Sequence, residues 1–133
     1  MRKTDAFAET FATLRGILQR HGKRLKVQVD TADRFHLASP TLVDRAGKPL
    51  FVAAVEIKKN YVSYHLIPVY ASPDLVKTLS PSLKKRMQGK ACFNFTTIEP
   101  EQAKELSALT KTGFARFKTI KVPWAQPAPT SKR

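Results

Sequence analysis

Residues 50–70, LFVAAVEIKKNYVSYHLIPVY, decide the fold. Two runs within them, Leu50–Lys58 and Tyr61–Tyr70, are rich in Val, Ile, Phe and Tyr, which suit a pleated, half-buried surface. Only Lys59 and Asn60 separate the runs. A loop that short favours positive φ, which Asn tolerates better than most residues. The runs therefore read as a hairpin in which Ile57 faces Val62, Val55 faces Tyr64, Ala53 faces Leu66 and Phe51 faces Pro68. Side chains alternate with a period of two, so these residues share one apolar side. Lys58 with Tyr61, Glu56 with Ser63, and Ala54 with His65 make a mixed polar side. A one-residue slip would mix the two sides, and that fixes the expected register.

Downstream, Ser72-Pro73 and Ser80-Pro81 each place an N-cap hydroxyl before a proline at a first helical position. Leu75, Leu79, Leu83 and Met87 recur four apart and predict one helical stripe, with Lys84, Lys85 and Gln88 opposite it. Gly89 is the expected helix stop. Ala91, Phe93 and Phe95 alternate with Cys92, Asn94 and Thr96, which predicts a further strand. Phe93 and Phe95 would face the helices, with Cys92 and Asn94 on the polar side. Pro100 opens a last helix, capped by Thr97 or Glu99. Its stripe runs through Ala103, Leu106, Leu109 or Thr110, Gly113 or Phe114, and Phe117 to about Ile120. Acids at Glu99, Glu101 and Glu105 suit its N-terminal end; Lys118 and Lys121 suit the other.

Upstream, Phe7, Phe11, Leu14 and Leu18, widened by Ile17, predict a helix over Thr4–His21 that Gly22 ends. Leu25, Val27 and Val29 alternate with Lys26, Gln28 and Asp30 as in a strand. Thr31-Ala32-Asp33 reads as a turn and Phe35–Ala38 as a short strand that Ser39-Pro40 breaks. Thr41–Val43 pairs with Leu50 onward across Asp44–Lys48, where Gly47 supplies the turn residue. The element order predicts an α+β domain: an antiparallel sheet of about five strands with helices packed on one face and the other face partly open.

A chain of 133 residues fits one domain with a real core, here 1–121, followed by a Pro-rich, basic tail at 122–133. Gln126 onward reads as flexible, with Trp124 available to dock on the body. No apolar run approaches the ~20 residues that cross a bilayer. The N-terminus leads into an amphipathic segment and not a secretory one. One cysteine excludes an internal disulfide and points to a reducing, cytoplasmic setting. The net charge of +14 implies attraction to phosphates, nucleic acid or an anionic surface, and equally a solubilising surface.

No Walker loop, Gly-rich dinucleotide turn or zinc-spaced cysteine pair occurs, and no cofactor or metal site is expected. His21 reads as a helix end in solvent and His36 as an ordinary strand residue. Cys92 with His65 is the one nucleophile-and-base pair worth weighing as catalytic, near Tyr61, Ser63, Glu56 and Asn94. A lone strand cysteine is more often a small hydrophobe. Ligand binding on that polar face is the stronger alternative. Lys77, Lys84, Lys85, Arg86 and Lys90 lie in a stretch without an acid. With Lys58 and Lys59 from the hairpin tip they would make a basic groove beside Tyr61 and Tyr64 for phosphate or a single strand. The same lysines also suit a solvated helix face. Arg86, which flanks the apolar stripe, is expected to pair with Glu56. The ligand-binding candidates are thus Lys58, Lys59, Tyr61, Ser63, His65, Lys84, Lys85, Lys90 and Asn94.

The runs Lys59-Asn60-Tyr61-Val62-Ser63-Tyr64-His65-Leu66 and Leu83-Lys84-Lys85-Arg86-Met87-Gln88-Gly89-Lys90, followed by Cys92-Phe93-Asn94-Phe95, resemble a bacterial branch of the YdhG-like proteins, a domain-of-unknown-function family. The likeness extends from the first helix to about Lys118. It implies a compact α+β domain with a curved antiparallel sheet, and some relatives are described as frataxin-like iron chaperones. It carries over no catalytic residue. Iron handling wants clustered carboxylates, whereas this chain has ten acids against 24 bases and its first helix offers only Asp5 and Glu9. The sequence thus points to a small intracellular binding domain whose basic surface meets an anionic ligand or nucleic acid. The alternatives are iron handling and an enzyme built on Cys92 and His65.

Overall fold

The computed structural model describes residues 3–77, 79–89, 91–117 and 126–127. Five strands form an antiparallel meander: β1 (Lys26–Asp30), β2 (Arg34–Val43), β3 (Pro49–Ile57), β4 (Val62–Leu66) and β5 (Cys92–Phe95). The sheet does not close into a barrel. Helices α1 (Lys3–His21) and α4 (Pro100–Phe117) pack on each other and against the sheet. This is the expected α+β architecture.

The central hairpin has the expected register. Ile57 pairs with Val62, Val55 with Tyr64 and Ala53 with Leu66, while Glu56 pairs with Ser63 and Ala54 with His65. β5 extends both rows, placing Asn94 opposite Ser63, Cys92 opposite His65 and Phe93 opposite Tyr64. The turn closes with the Lys58 N–H donating to Tyr61 O at 2.7 Å. No described residue other than glycine has positive φ, so Asn60 does not supply the conformation expected of it.

The second strand is shorter than expected. It stops at Leu66, and Ile67–Ala71 form a short helix, α2, with Pro68 in its first turn. Proline has no N–H for a ladder but loses nothing at a helix start. Phe51 therefore does not face Pro68. Leu37 pairs with Ala53, yet the next residue of β2, Ala38, pairs with Phe51, so Val52 is an extra residue in β3. Such a bulge reverses the alternation on one side of it. Leu50 and Val52 enter the core at 2% and 0% exposure, and Phe51 emerges at 36%.

β2 also departs from the sequence reading, because it continues through Ser39-Pro40. A register shift between Ala38 and Val43 accommodates the proline. Ser39 Oγ accepts the N–H groups of Leu42 at 2.9 Å and Thr41 at 3.2 Å, replacing ladder partners locally. Val43 then pairs with Pro49 across the expected turn, where Gly47 has φ +82°. Within the segment read as a tail, Gln126–Pro127 (β6) pairs with Val43 and Leu42. A second irregularity, between Val27 and Val29 of β1, accompanies the 51% exposure of Val27.

Phe7, Phe11, Leu14, Ile17 and Leu18 bury the face of α1 that their spacing predicts. Gly22 ends the helix through close approach: an added Cβ would lie 2.6 Å from Leu37 Cδ1 and 2.7 Å from Leu18 O. Between α2 and β5 the chain is not one helix. Pro73–Val76 is a 3-10 turn and α3 (Pro81–Lys84) a single turn. Residues 86–88 are laid against β5, with Met87 bridged to Phe93. The Asn94 N–H donates to Arg86 O at 2.7 Å and the Gln88 N–H to Cys92 O at 2.8 Å. Leu75, Leu79 and Leu83 are still buried, each delivered by a different local structure. Gly89, with φ +79°, turns the chain into β5 instead of stopping a helix.

Of the two serine caps, only Ser80 makes its side-chain bond, accepting the Leu83 N–H at 3.3 Å. Its own N–H and hydroxyl donate to the Glu105 carboxylate, each at 2.7 Å, which fastens α3 to α4. Glu99 is the N-cap of α4, since Glu99 O accepts the Ala103 N–H and Gln102 Oε1 accepts the Glu99 N–H at 3.1 Å. Lys90, Lys118, Ile120, Lys121 and Trp124 lie outside the described residues.

One buried polar chain joins sheet to helix. Thr110 Oγ1 donates to Leu106 O at 2.8 Å, so it accepts the Tyr64 hydroxyl at 2.5 Å. Tyr64→Phe removes one donor without orphaning Thr110. The expected loss is about 1 kcal/mol, read as a lower urea midpoint with an unchanged slope.

Candidate functional site

The sheet face away from α1 and α4 carries the polar row predicted from the hairpin. Register places His36, Ala54, His65 and Cys92 side by side across four strands, flanked by the row Arg34, Glu56, Ser63 and Asn94. The bulge at Val52 adds Phe51. Its ring sits between the two imidazoles, with centroids 5.9 Å from His36 and 6.1 Å from His65.

Glu56 is the electrostatic centre of this face. Its Oε2 is 2.5 Å from His36 Nε2 and its Oε1 is 2.5 Å from Lys58 Nζ. The Lys58 bond chiefly holds its carboxyl below the ordinary range, the His36 bond adds to this, and burial opposes it. Both oxygens are thus committed, and the expected pairing of Glu56 with Arg86 does not occur. His36 is a partner of Glu56 and not an idle strand residue. His21 is likewise not a helix end in solvent: it is half-buried, with Nε2 2.8 Å from Ser107 Oγ.

Arg86 lies opposite Asn94. Its neighbour Met87 packs toward the core, and Arg86 itself stands in the turn that follows α3, its N–H donating to Leu83 O at 3.0 Å. Its Nε is buried and has no hydrogen-bond partner. Arg15 also has a buried, unpaired Nε, but its guanidinium is otherwise engaged, 2.6 Å from Asp30 and 5.0 Å over the Phe35 ring. Among the described residues no ion pair engages Arg86. A buried donor without a partner calls for an explanation, such as a water or an ion.

Cys92 and His65 share the polar face and are in fact cross-strand neighbours, but their electrostatics are those of two neutral groups. Burial pushes the Cys92 thiol up, and burial holds the His65 imidazole down against the pull of Glu56. An activated couple needs the opposite shifts. The thiol donates to Asn94 Oδ1 at 3.5 Å and not to the imidazole. Among the described residues no group of three or more His, Cys, Asp and Glu is placed to hold a metal ion.

The remaining candidates surround the face. Tyr61, at 36% exposure, and Lys59 stand at the hairpin tip; Lys84 and Lys85 are exposed just before Arg86. Lys84 Nζ reaches back to Lys77 O at 3.4 Å. Val62 pairs with Phe95, so the tip and the Lys84–Arg86 segment lie at the same end of the sheet. Two intervening strands, β4 and β5, set them on the order of 14 Å apart. Tyr64 is not on this face; it is fully buried in the core. Sequence reasoning missed Phe51, because the bulge is invisible to a strict alternation. It missed the place of Arg86 beside β5, because Met87 was read as continuing the helical stripe of Leu79 and Leu83. Gly89 between two extended segments was the available signal.

The chain matches no family model, no curated protein and no solved structure. Its functional reading therefore rests on the geometry above.

Two outcomes follow. The unfolded chain protonates its histidines near pH 6.5, whereas His65 and His21 resist protonation in the fold. The unfolded state then binds more protons, so stability falls as pH drops below about 6.5. Glu56, depressed in the fold, adds a loss of the same sign at lower pH. Urea midpoints at pH 7.5 and 5.5 read this, and His65→Gln with His21→Gln reduces the difference. Second, Cys92 alkylates with iodoacetamide at neutral pH more slowly than a free thiol, and more slowly still than an activated thiolate.

Proposed function

We propose that the protein is a small binding domain that takes a phosphate- or carboxylate-bearing ligand on its open sheet face. The observation that carries this is Arg86, a half-buried residue opposite Asn94 whose Nε is buried and has no hydrogen-bond partner. Guanidinium N–H groups are well suited to anionic oxygens, and a charge-assisted bond there supplies the missing acceptor. Ser63 and Asn94 offer neutral hydrogen bonds, while Lys59, Lys84 and Lys85 give an exposed cationic rim. Phe51, between two imidazoles, offers a flat surface for an unsaturated part of the ligand. The sequence likeness to the YdhG-like proteins belongs to this reading; the α+β layout agrees with what it implies and does not distinguish it.

Calorimetric titration with inorganic triphosphate tests the reading. Arg86→Met keeps the apolar stem and removes the donors, and is expected to weaken binding about tenfold or more. Reversing Lys84 and Lys85 to Glu barely changes stability but weakens binding and flattens its salt dependence. Equal affinity of wild type and Arg86→Met would remove the basis for this reading. A labelled single-stranded oligonucleotide serves as a second probe: tighter binding than triphosphate, with a steeper salt slope, identifies a nucleic-acid strand as the ligand.

A further inference from the structure

The helix side of the sheet contains a second, chemically different concavity. A cleft of about 440 Å3 lies between the end of α1, the segment leading into β1, the middle of β2 and the last turns of α4. Its floor is apolar: Leu25, Leu42, Val52, Phe114 and Phe117 line it. Val52 reaches this side only because the bulge in β3 turns it inward. Its rim is cationic, with Lys23, Arg24 and Lys111 all exposed. No Asp or Glu lines it among the described residues, and the sequence has no acid after Glu105. His21 and the buried Ser39 also line it.

An apolar volume with a few convergent polar groups is the usual form of a small-molecule site. Here the charge narrows the class of ligand. A neutral apolar ligand would leave three unpaired cations around it, and a small inorganic anion would leave the floor wet. An amphipathic anion satisfies both: its apolar body covers the floor and its head group meets the cations without displacing an existing ion pair. None of the three lysine and arginine side chains takes part in an ion pair among the described residues.

We infer that this cleft binds an amphipathic carboxylate, with an apolar body of fused-ring size resting on Leu42, Val52 and Phe114 and its carboxylate at Arg24 and Lys111. The site is separate from the open sheet face and does not depend on Arg86.

The test uses the full chain, with 1-naphthoate and its neutral isostere 1-naphthamide as probes, followed by amide NMR shifts. Naphthoate is expected to give saturable shifts at His21, Thr41 and Ala115, and to bind several-fold more tightly than naphthamide. Ala115 is exposed and lines the cleft, so Ala115→Trp fills it without touching the core. It is expected to weaken naphthoate about tenfold or more, and Arg24→Gln with Lys111→Gln to remove the preference for the acid over the amide. Arg86→Met leaves naphthoate binding unchanged. The inference is overturned by equal binding of wild type and Ala115→Trp, by equal binding of acid and amide, by shifts centred on Ser63 and Asn94, or by no saturable shift. Because Arg86→Met and Ala115→Trp report on different faces, failure here is distinct from failure of the triphosphate reading.

Discussion

One extra residue in β3 shapes both faces of this molecule. At Val52 the pairing with β2 advances two residues on one strand for one on the other. The alternation of side chains reverses there, because successive residues of a strand must point to opposite faces. Leu50 and Val52 go to the core side, where Val52 forms part of the floor of the cleft. Phe51 goes to the other side and takes its place between His36 and His65. A regular strand would put Phe51 in the core and leave Val52 outside. It would thereby remove the aromatic surface from one face and part of the floor from the other.

The helices are held over that sheet by a few polar contacts that specify position where apolar packing alone does not. Ser80 caps a single helical turn and at the same time donates twice to Glu105 of α4. Gln102 closes the start of α4 and also donates to Ser82 Oγ at 2.9 Å. Tyr64 reaches from the middle of β4 to Thr110. A helix as short as α3 has no stability of its own. It persists because Leu83 is wholly buried and its cap is tied to a long neighbour.

Charge is distributed with the same economy. At least four of the ten acids are committed to side-chain contacts: Asp30 to Arg15, Glu56 to His36 and Lys58, Asp74 to Arg116, and Glu105 to Ser80. With ten acids against 24 bases, that commitment leaves most of the positive charge uncompensated. A field of that sign concentrates anions near the protein whatever they are. Selection among them must come from shaped sites. The open sheet face and the cleft beneath α4 differ in this respect, one offering the buried, unpartnered Nε of Arg86 beside neutral polar groups and the other an apolar floor.

Alternation and spacing determined by themselves the central hairpin register, the existence and two faces of β5, the shared polar side of Ser63, His65, Cys92 and Asn94, and the buried faces of α1 and α4. These are properties of short segments, where the period of apolar residues directly reports which side is buried. Only the tertiary structure decided the bulge at Val52, the passage of β2 through Ser39-Pro40, and the splitting of Leu75–Met87 among a 3-10 turn, a single helical turn and an extended segment. Arg86, expected beside Glu56, was likewise placed by the tertiary structure opposite Asn94. In each case the local pattern was compatible with a regular element, and the outcome was set by a partner distant in sequence: β2 for Val52, Glu105 for Ser80, Phe93 for Met87. Periodicity records that a residue is buried; it does not record what it is buried against.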